Sequence, residues 1–147
     1  MMAVRDLVSD DYAAWWSLWD GYCAFYEADV PEAVTAATWA AVVDPAQPVI
    51  GRAAWSGNDS LIGFSLSVLH PSTWQTRPSC YLEDLFVDPL HRGAGVGRTL
   101  LDDLVALATA RRWGRLYWHT QTNNAAARRL YDRYCAADDF VRYRLAF

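Results

Sequence analysis

A glycine-rich turn between a strand-like segment and a helix-like segment is the strongest constraint on the fold of this chain. Residues 92–97 read Arg-Gly-Ala-Gly-Val-Gly, after an apolar run at 81–87 and before leucines at helical spacing over 96–107. Backbone N–H groups at a helix start are unpaired and favour anions, and glycine lets a phosphate approach closely. The turn therefore predicts a site for a phosphate-bearing ligand, unless it serves packing alone.

Two common phosphate-binding patterns do not fit this turn. A dinucleotide-binding loop needs a third glycine where this chain has Arg98. A P-loop needs a lysine followed by serine or threonine, and the chain contains no lysine.

Composition limits the class of protein. With 147 residues, of which 53% are hydrophobic, we expect a single globular domain over 1–147. The sequence has no apolar run of membrane-spanning length and no secretory signal, so we expect a cytoplasmic protein without a membrane partner. The net charge of −4 argues against nucleic-acid binding, and the three histidines lack metal-ligand spacing, so no metal is expected.

Hydrophobic periodicity and turn residues predict a mixed α/β chain. The sequence predicts strands at 4–8, 49–55, 61–69, 80–87, 116–120 and 140–147, and helices at 12–26, 31–43, 96–112 and 124–134. Strand pairs joined by a tight turn, together with a strand–helix–strand unit, predict a mixed, mostly antiparallel sheet with helices on both faces.

Two motifs resemble those of the GNAT acyltransferase superfamily. Residues 81–87, followed by Pro89 and the loop at Arg92, are similar to its motif A, and residues 124–131 are similar to its motif B, Asn-x-x-Ala-x-x-Leu-Tyr. The resemblance extends over nearly the whole chain, and its histone/polyamine acetyltransferase branch is the most similar. It implies the GNAT fold and transfer of an acetyl group from acetyl-CoA to a primary amine. Asp139 stands where the family usually has glycine.

The resemblance also implies which residues hold CoA. Backbone groups of Leu85, Phe86 and Val87 would pair with the pantetheine amides, and Asn124 would contact the same arm or only cap its helix. The phosphates would lie on the loop residues Arg92, Gly93, Ala94, Gly95, Val96, Gly97 and Arg98. Arg128 and Arg129 would be partners for the 3′-phosphate.

Acetyl transfer to an amine needs a base for the amine and an acid for the leaving thiolate. Glu83 is the predicted base, because a carboxylate between apolar residues in the middle of a strand is unfavourable unless it has a function or a partner. Strand alternation predicts partial burial and a face shared with Tyr81, Leu85 and Val87, whereas Asp84, the weaker alternative, points away. A structural ion pair is the other interpretation of Glu83. The resemblance makes Tyr131 the acid, although its apolar stripe also suits a core tyrosine.

The acceptor is predicted to bind near the acidic, aromatic first third of the chain. Aromatic faces beside carboxylates suit an ammonium group, such as that of a polyamine or a peptide amine. The predicted acceptor residues are Tyr22, Tyr26, Glu27, Trp74 and Glu83. A homodimer is compatible with the aromatic content. The alternatives are a non-catalytic module that binds or senses acyl-CoA, and a structural interaction protein.

Overall fold

A five-stranded sheet organises the chain in the computed structural model, which describes residues 1–147. The strands are β1 (Ala3–Asp6), β2 (Val49–Trp55), β3 (Leu61–His70), β4 (Ser79–Val87) and β5 (Arg115–Trp118). The α-helices are α1 (Tyr12–Phe25), α2 (Glu32–Val43), α3 (Val96–Arg111) and α4 (Ala125–Tyr131), and short 3-10 turns lie at Ser9–Asp11 and Pro89–His91. None of these helices has the length and apolarity needed to cross a membrane.

The strand order in the sheet follows the chain order, β1-β2-β3-β4-β5. The first four strands pair antiparallel, whereas β5 pairs parallel to β4. Parallel neighbours need a crossover connection, and α3 supplies it. This topology confirms the predicted mixed, mostly antiparallel sheet with helices on both faces.

The two faces of the sheet have separate cores. On the α1 face, helices α1 and α2 cover an aromatic core that includes Trp15, Trp19, Phe64 and Phe86. On the α3 face, helix α3 packs leucines against the sheet, in two clusters whose buried members include Cys80, Leu82, Leu100, Leu101 and Leu104. The apolar stripe of α3 predicted from leucine spacing is therefore the stripe that faces the sheet.

Gly63 in β3 allows the start of α3 to lie close to the sheet. A Cβ atom at this position would stand 2.9 Å from Val96 Cγ1 and 3.0 Å from the Phe86 carbonyl oxygen. Real Cβ atoms essentially never make a contact that short, so a side chain here would displace Val96. Since Val96 is the first residue of α3, Gly63 helps to fix the position of the glycine-rich turn.

An arginine of β2 links that strand to β1 and to α3. Arg52 of β2 donates two hydrogen bonds to the carboxylate of Asp103 in α3, at 2.8 and 2.7 Å. It donates a third to Asp6 of β1 at 2.7 Å. This bidentate pairing ties β1 and β2 to the helix whose N-terminus carries the glycine-rich turn.

The predicted final strand at 140–147 is wrong, because the segment is irregular in the structure. Asp139 does not adopt a left-handed conformation. The alternating pattern is typical of a strand. A strand also needs a neighbouring strand whose backbone can hydrogen-bond with its own. The segment does not pair with the free edge of β5. Its large apolar side chains are therefore exposed: Phe140, Val141, Tyr143, Leu145 and Phe147.

Candidate active site

The glycine-rich turn leaves a row of backbone amides free at the start of α3. Gly93 and Gly95 adopt left-handed conformations, with φ of 80° and 83°. The first amide to donate a helical hydrogen bond is that of Thr99, to the Gly95 carbonyl at 2.9 Å, and the amides of residues 93–98 have no partner in the chain. A Cβ atom at either glycine would meet nothing within 4 Å, so the space in front of the amides is open. This arrangement suits an oxyanion such as a phosphate.

A gap between β4 and β5 leads towards this turn. The two strands pair only over residues 79–82 of β4 and 115–118 of β5. β4 continues to Val87, still paired with β3 on its other side. The β5-facing edge over 83–87 therefore has no neighbouring strand, and it can pair with an extended ligand that carries amide groups. The predicted cofactor residues Leu85, Phe86 and Val87 lie along this free edge.

A β-bulge at Glu83 changes which side chains of β4 face which helix. Leu66 pairs with Asp84 and Ser67 pairs with Leu82, so Glu83 is the extra residue. Before the bulge, Leu82 packs on the α3 face, whereas after it Leu85 does. Strand alternation is interrupted here. The prediction that Tyr81, Glu83, Leu85 and Val87 share one face is therefore wrong, because Leu85 and Val87 pack on the α3 face while Tyr81 lies on the opposite one. Asp84 does face away from Leu85 and Val87, as predicted.

Asp84, rather than Glu83, is the enclosed carboxylate of the site. Glu83 is solvent-exposed, so the expected burial of its side chain is wrong. Asp84 is half-buried on the α1 face, where the Tyr22 hydroxyl acts on it. The pKa of Asp84 is raised to about 6, because burial raises it most, hydrogen bonding to Tyr22 lowers it in part, and the charge of Glu83 adds a smaller increase. A carboxylate with that pKa is ionised at neutral pH and is a competent general base.

Tyr22 and Tyr26 bring the end of α1 to the same place. Their rings make an edge-to-face contact with centroids 5.0 Å apart, and Tyr22 also contacts Phe86 at 5.5 Å. Burial and the charge of Asp84 raise the pKa of the Tyr22 phenol. The first predicted acceptor residues therefore lie directly over the bulge.

Tyr131 approaches the gap from the opposite side. It belongs to α4, where its ring packs edge-to-face on Trp118 with centroids 5.5 Å apart. Burial, and then the nearby Tyr26, raise the pKa of its phenol, so the hydroxyl keeps its proton at neutral pH. Asn124 caps this helix by accepting a hydrogen bond from the Ala127 amide at 3.3 Å. Two helices thus place phenol groups around the end of the β4–β5 gap.

Comparison with known proteins assigns the family. The model of the acetyltransferase (GNAT) family matches residues 11–136. The chain belongs to this family. It is 29% identical over 144 residues, 97% of its own length and 89% of the relative's, to a D-amino-acid N-acetyltransferase of Saccharomyces cerevisiae. The protein is therefore an acetyltransferase. This relative does not support the more specific prediction of the histone/polyamine branch.

Solved structures agree with the fold. A ribosomal-protein-alanine N-acetyltransferase from Brucella melitensis biovar Abortus 2308 superposes with a TM-score of 0.84, at 20% identity and full coverage of both chains. An aminoglycoside acetyltransferase from a soil metagenomic sample gives a TM-score of 0.83 at 16% identity, covering 99% of this chain and 96% of that one.

The arginines of the acetyltransferase loop are already engaged within the chain. The Arg92 guanidinium lies over the rings of Phe25 and Phe86, at 5.2 and 5.7 Å from their centroids. This contact lines a cleft of about 290 Å³ between α1 and the end of β4. Arg98 lies 3.8 Å from Asp102, one turn along α3, and Arg128 donates to the Thr122 carbonyl at 2.8 Å. The backbone of the loop is therefore freer to bind an anion than these side chains are.

The remaining predicted acceptor residues are not all gathered at the bulge. Glu27 follows α1 and its cap Tyr26 in a left-handed conformation, with φ of 50°, and its amide donates to the Ala24 carbonyl. Trp74 is 95% exposed in the loop that leads into β4. The bulge is several residues further along that strand, so Trp74 does not join Tyr22 and Tyr26.

An aromatic surface beside the bulge of the acetyltransferase was not predicted from the sequence. Tyr81 of β4 and Tyr117 of β5 stack with centroids 5.1 Å apart. His70 Nε2 lies 2.7 Å from the Tyr117 hydroxyl, and His119 Nδ1 lies 3.2 Å from that of Tyr81. Only the parallel register of β4 and β5 brings these residues together. No group of three or more His, Cys, Asp or Glu side chains is placed to hold a metal ion.

Proposed function

We propose that this enzyme is an acetyl-CoA-dependent N-acetyltransferase in which a primary amine attacks the thioester directly. The observation that carries the proposal is the free β4 edge, which leads from the bulge carboxylates to the unpaired amides of the glycine-rich turn. An extended amide-bearing arm that ends in a pyrophosphate fits this continuous path. The acetyltransferase family supports the same reaction.

The residues that would hold CoA follow from this path. The backbone of Leu85, Phe86 and Val87 would pair with the pantetheine amides, and the amides of residues 93–98 would hold the pyrophosphate. Asn124 would orient the arm while it caps α4. Arg92 and Arg98 would contribute positive charge, and Arg128 and Arg129 are the partners proposed for the 3′-phosphate. Bound acetyl-CoA supplies the acetyl group and a thiolate leaving group.

The chain supplies the two proton transfers. Asp84 would accept the proton of the acceptor ammonium at a carboxylate oxygen, with the exposed Glu83 drawing the cation towards it. This order is supported by the burial of Asp84, which exceeds that of the exposed Glu83, and by its raised pKa. The Tyr131 hydroxyl would hold the proton that the leaving sulfur needs. Tyr22, Tyr26 and Glu27 would surround the amine.

The acceptor proposed is an α-amine or another primary amine that is cationic at neutral pH. The names of similar proteins refer to D-amino acids, a ribosomal-protein alanine and aminoglycosides, all of which carry amines. Polyamines remain in the same chemical class. The aromatic rings and carboxylates around the bulge suit this cation.

A screen of primary amines with a free-thiol readout tests the proposal. We expect CoA release that depends on both acetyl-CoA and the amine, with formation of the N-acetyl product in equal amount. Binding of CoA, seen as a raised melting temperature, without transfer to any amine would instead support a non-catalytic acyl-CoA-binding module.

We also propose a homodimer that involves the C-terminal segment. Phe147 and four other large apolar side chains over 140–147 are exposed, and β5 offers an unpaired edge. Exposed apolar segments and free edges are where chains associate. Light scattering should give the mass of two chains for the wild type and one chain for Val141→Glu with Leu145→Glu; a monomeric wild type would exclude the dimer.

A further inference from the structure

Beyond the helices, three successive levels of β4 differ in chemistry on the α1 face of the sheet, where the charge of Arg142 also acts on the half-buried Tyr81. At the first level, Ser79 pairs with Arg115. At the second, Tyr81 pairs with Tyr117, and these two rings form the aromatic platform. At the third lies the bulge with its carboxylates. These side chains share one face because their sequence neighbours Cys80, Leu82, Leu116 and Trp118 pack on the α3 face.

Arg115 carries a positive charge that no carboxylate neutralises. Its guanidinium lies 4.8 Å from the centre of the Tyr117 ring, at the edge of the platform. It takes part in no ion pair, whereas Arg5 and Arg52 each pair with an aspartate. Ser79, the partner of Arg115 in β4, is fully buried, so Arg115 is the polar group that this level presents to solvent.

His70 fixes the ring on which Arg115 rests. Its Nδ1 lies 2.8 Å from the Pro71 carbonyl, which can only accept, so Nδ1 carries a proton. In the neutral ring Nε2 then accepts from the Tyr117 hydroxyl at 2.7 Å. The platform is thus held in place before any ligand binds, which reduces the entropy lost on binding.

We propose that the acceptor is a short peptide, bound in an extended conformation along β4, whose carboxylate contacts Arg115 while its N-terminal amine lies at the bulge. This inference rests on the proposed acetyl transfer and specifies its substrate. Charge complementarity sets the direction of the peptide: the ammonium group lies at Glu83 and Asp84, and the anion lies at the guanidinium. The middle of the peptide crosses Tyr81 and Tyr117.

The separation of the two charged ends sets the length. Ser79 and Glu83 are four residues apart along β4, or about 13 Å at the usual rise of a strand. A free amino acid separates its two charges by far less. Three extended residues span about 10 Å, and the Arg115 side chain bridges the difference. A tripeptide with a free C-terminus matches, and so does a longer peptide with an acidic third residue.

Acetylation of an alanine series by the full chain tests this assignment. The acceptors are alanine, Ala-Ala, Ala-Ala-Ala, the amide of Ala-Ala-Ala, and the amide of Ala-Ala-Asp, with spermidine as a polyamine. The kcat/KM value of each is measured from thiol release at saturating acetyl-CoA. We expect the tripeptide to exceed alanine, and its amide, by about tenfold, the value of a moderate charge-assisted contact. Recovery with the Ala-Ala-Asp amide would extend the substrate class to longer acidic peptides, and no recovery would restrict it to tripeptides.

Arg115→Gln should abolish the preference for the free carboxylate, so that Ala-Ala-Ala and its amide react equally. The matched control is Arg111→Gln, which removes an exposed arginine from α3 on the opposite side of the sheet and should retain the tenfold preference. Transfer to alanine or spermidine with no gain for the tripeptide overturns this inference and leaves the acetyltransferase assignment intact. A preference that survives Arg115→Gln also overturns it. Thiol release with none of these acceptors overturns both.

Discussion

The proposed cofactor side and the proposed acceptor side of this acetyltransferase are built from different kinds of groups. The cofactor side presents backbone: free amides over residues 93–98 and an unpaired strand edge over 83–87. The acceptor side presents side chains from three elements, with Tyr22 from α1, Asp84 from β4 and Tyr117 from β5. A backbone site depends on conformation and tolerates many side chains, whereas a side-chain site depends on register and changes with single residues.

The largest effect should come from the enclosed carboxylate of the acceptor side. Asp84→Asn removes the base and should lower kcat by about 100- to 1000-fold, within the range of general-base catalysis. Glu83→Gln is the matched control, because it neutralises the adjacent exposed carboxylate, and should lower kcat only about threefold or less. A larger loss in Glu83→Gln than in Asp84→Asn would return the base to Glu83.

On the cofactor side, the largest loss of CoA affinity should come from a substitution that changes the backbone of the glycine-rich turn. Gly95→Glu places a charged side chain at a left-handed position in front of the free amides, and should weaken CoA binding by about 100-fold or more. Isothermal titration calorimetry measures this change. Gly95→Gln has the same size without the charge, so the difference between the two variants gives the electrostatic part. Unchanged CoA affinity in Gly95→Glu would show that the phosphates bind elsewhere.

Tyr131 lies between the two sides and should separate catalysis from binding. Tyr131→Phe keeps the ring contact with Trp118 but removes the acidic proton, so kcat should fall about 10- to 100-fold. The CoA dissociation constant should stay within about twofold, since backbone groups provide most of the binding. Normal turnover in this variant would make Tyr131 a core tyrosine.

The smallest effect is a gain in stability at the acceptor side. The pKa of Asp84 is raised on folding from 3.8 to about 6, so the folded state binds more protons than the unfolded state between these values. Stability should therefore fall as pH rises from about 4 to 6, and the cost of the buried charge remains at pH 7. Asp84→Asn should recover about 1–3 kcal/mol of unfolding free energy at pH 7. Urea unfolding at pH 7 and pH 4 tests this, and an equal effect at both pH values would contradict it.

The cofactor side could largely be predicted from the sequence because its signals are local. Glycines, helix periodicity and apolar runs give the turn at 92–97, helix α3 and the hairpin of β2 and β3, and each depends on near neighbours in the chain. α2 begins at Glu32, one residue after the predicted start at Pro31, which is the N-cap instead.

The acceptor side could not be predicted to the same degree because its signals are not local. The bulge at Glu83 carries no glycine or proline, and it exists only because Ser67 pairs with Leu82 and Leu66 with Asp84. That single extra residue puts Leu85 on the same face as Leu82 and opposite Tyr81, the reverse of what alternation predicts. The pairing of Tyr81 with Tyr117 likewise depends on register between strands separated by α3. The prediction of a final strand at 140–147 was wrong for the same reason. An alternating pattern does not show whether a neighbouring strand is available for pairing.

The pH dependence of kcat, measured with acetyl-CoA and the amine both saturating, tests the central claim most directly. If Asp84 is the base, it is protonated and inactive below about pH 6. Wild-type kcat should therefore fall about tenfold per pH unit below that value. The kcat of Glu83→Gln should show the same fall at low pH. The kcat of Asp84→Asn should be low at every pH and should not fall further below pH 6. A fall at low pH that persists in Asp84→Asn and disappears in Glu83→Gln would contradict the account.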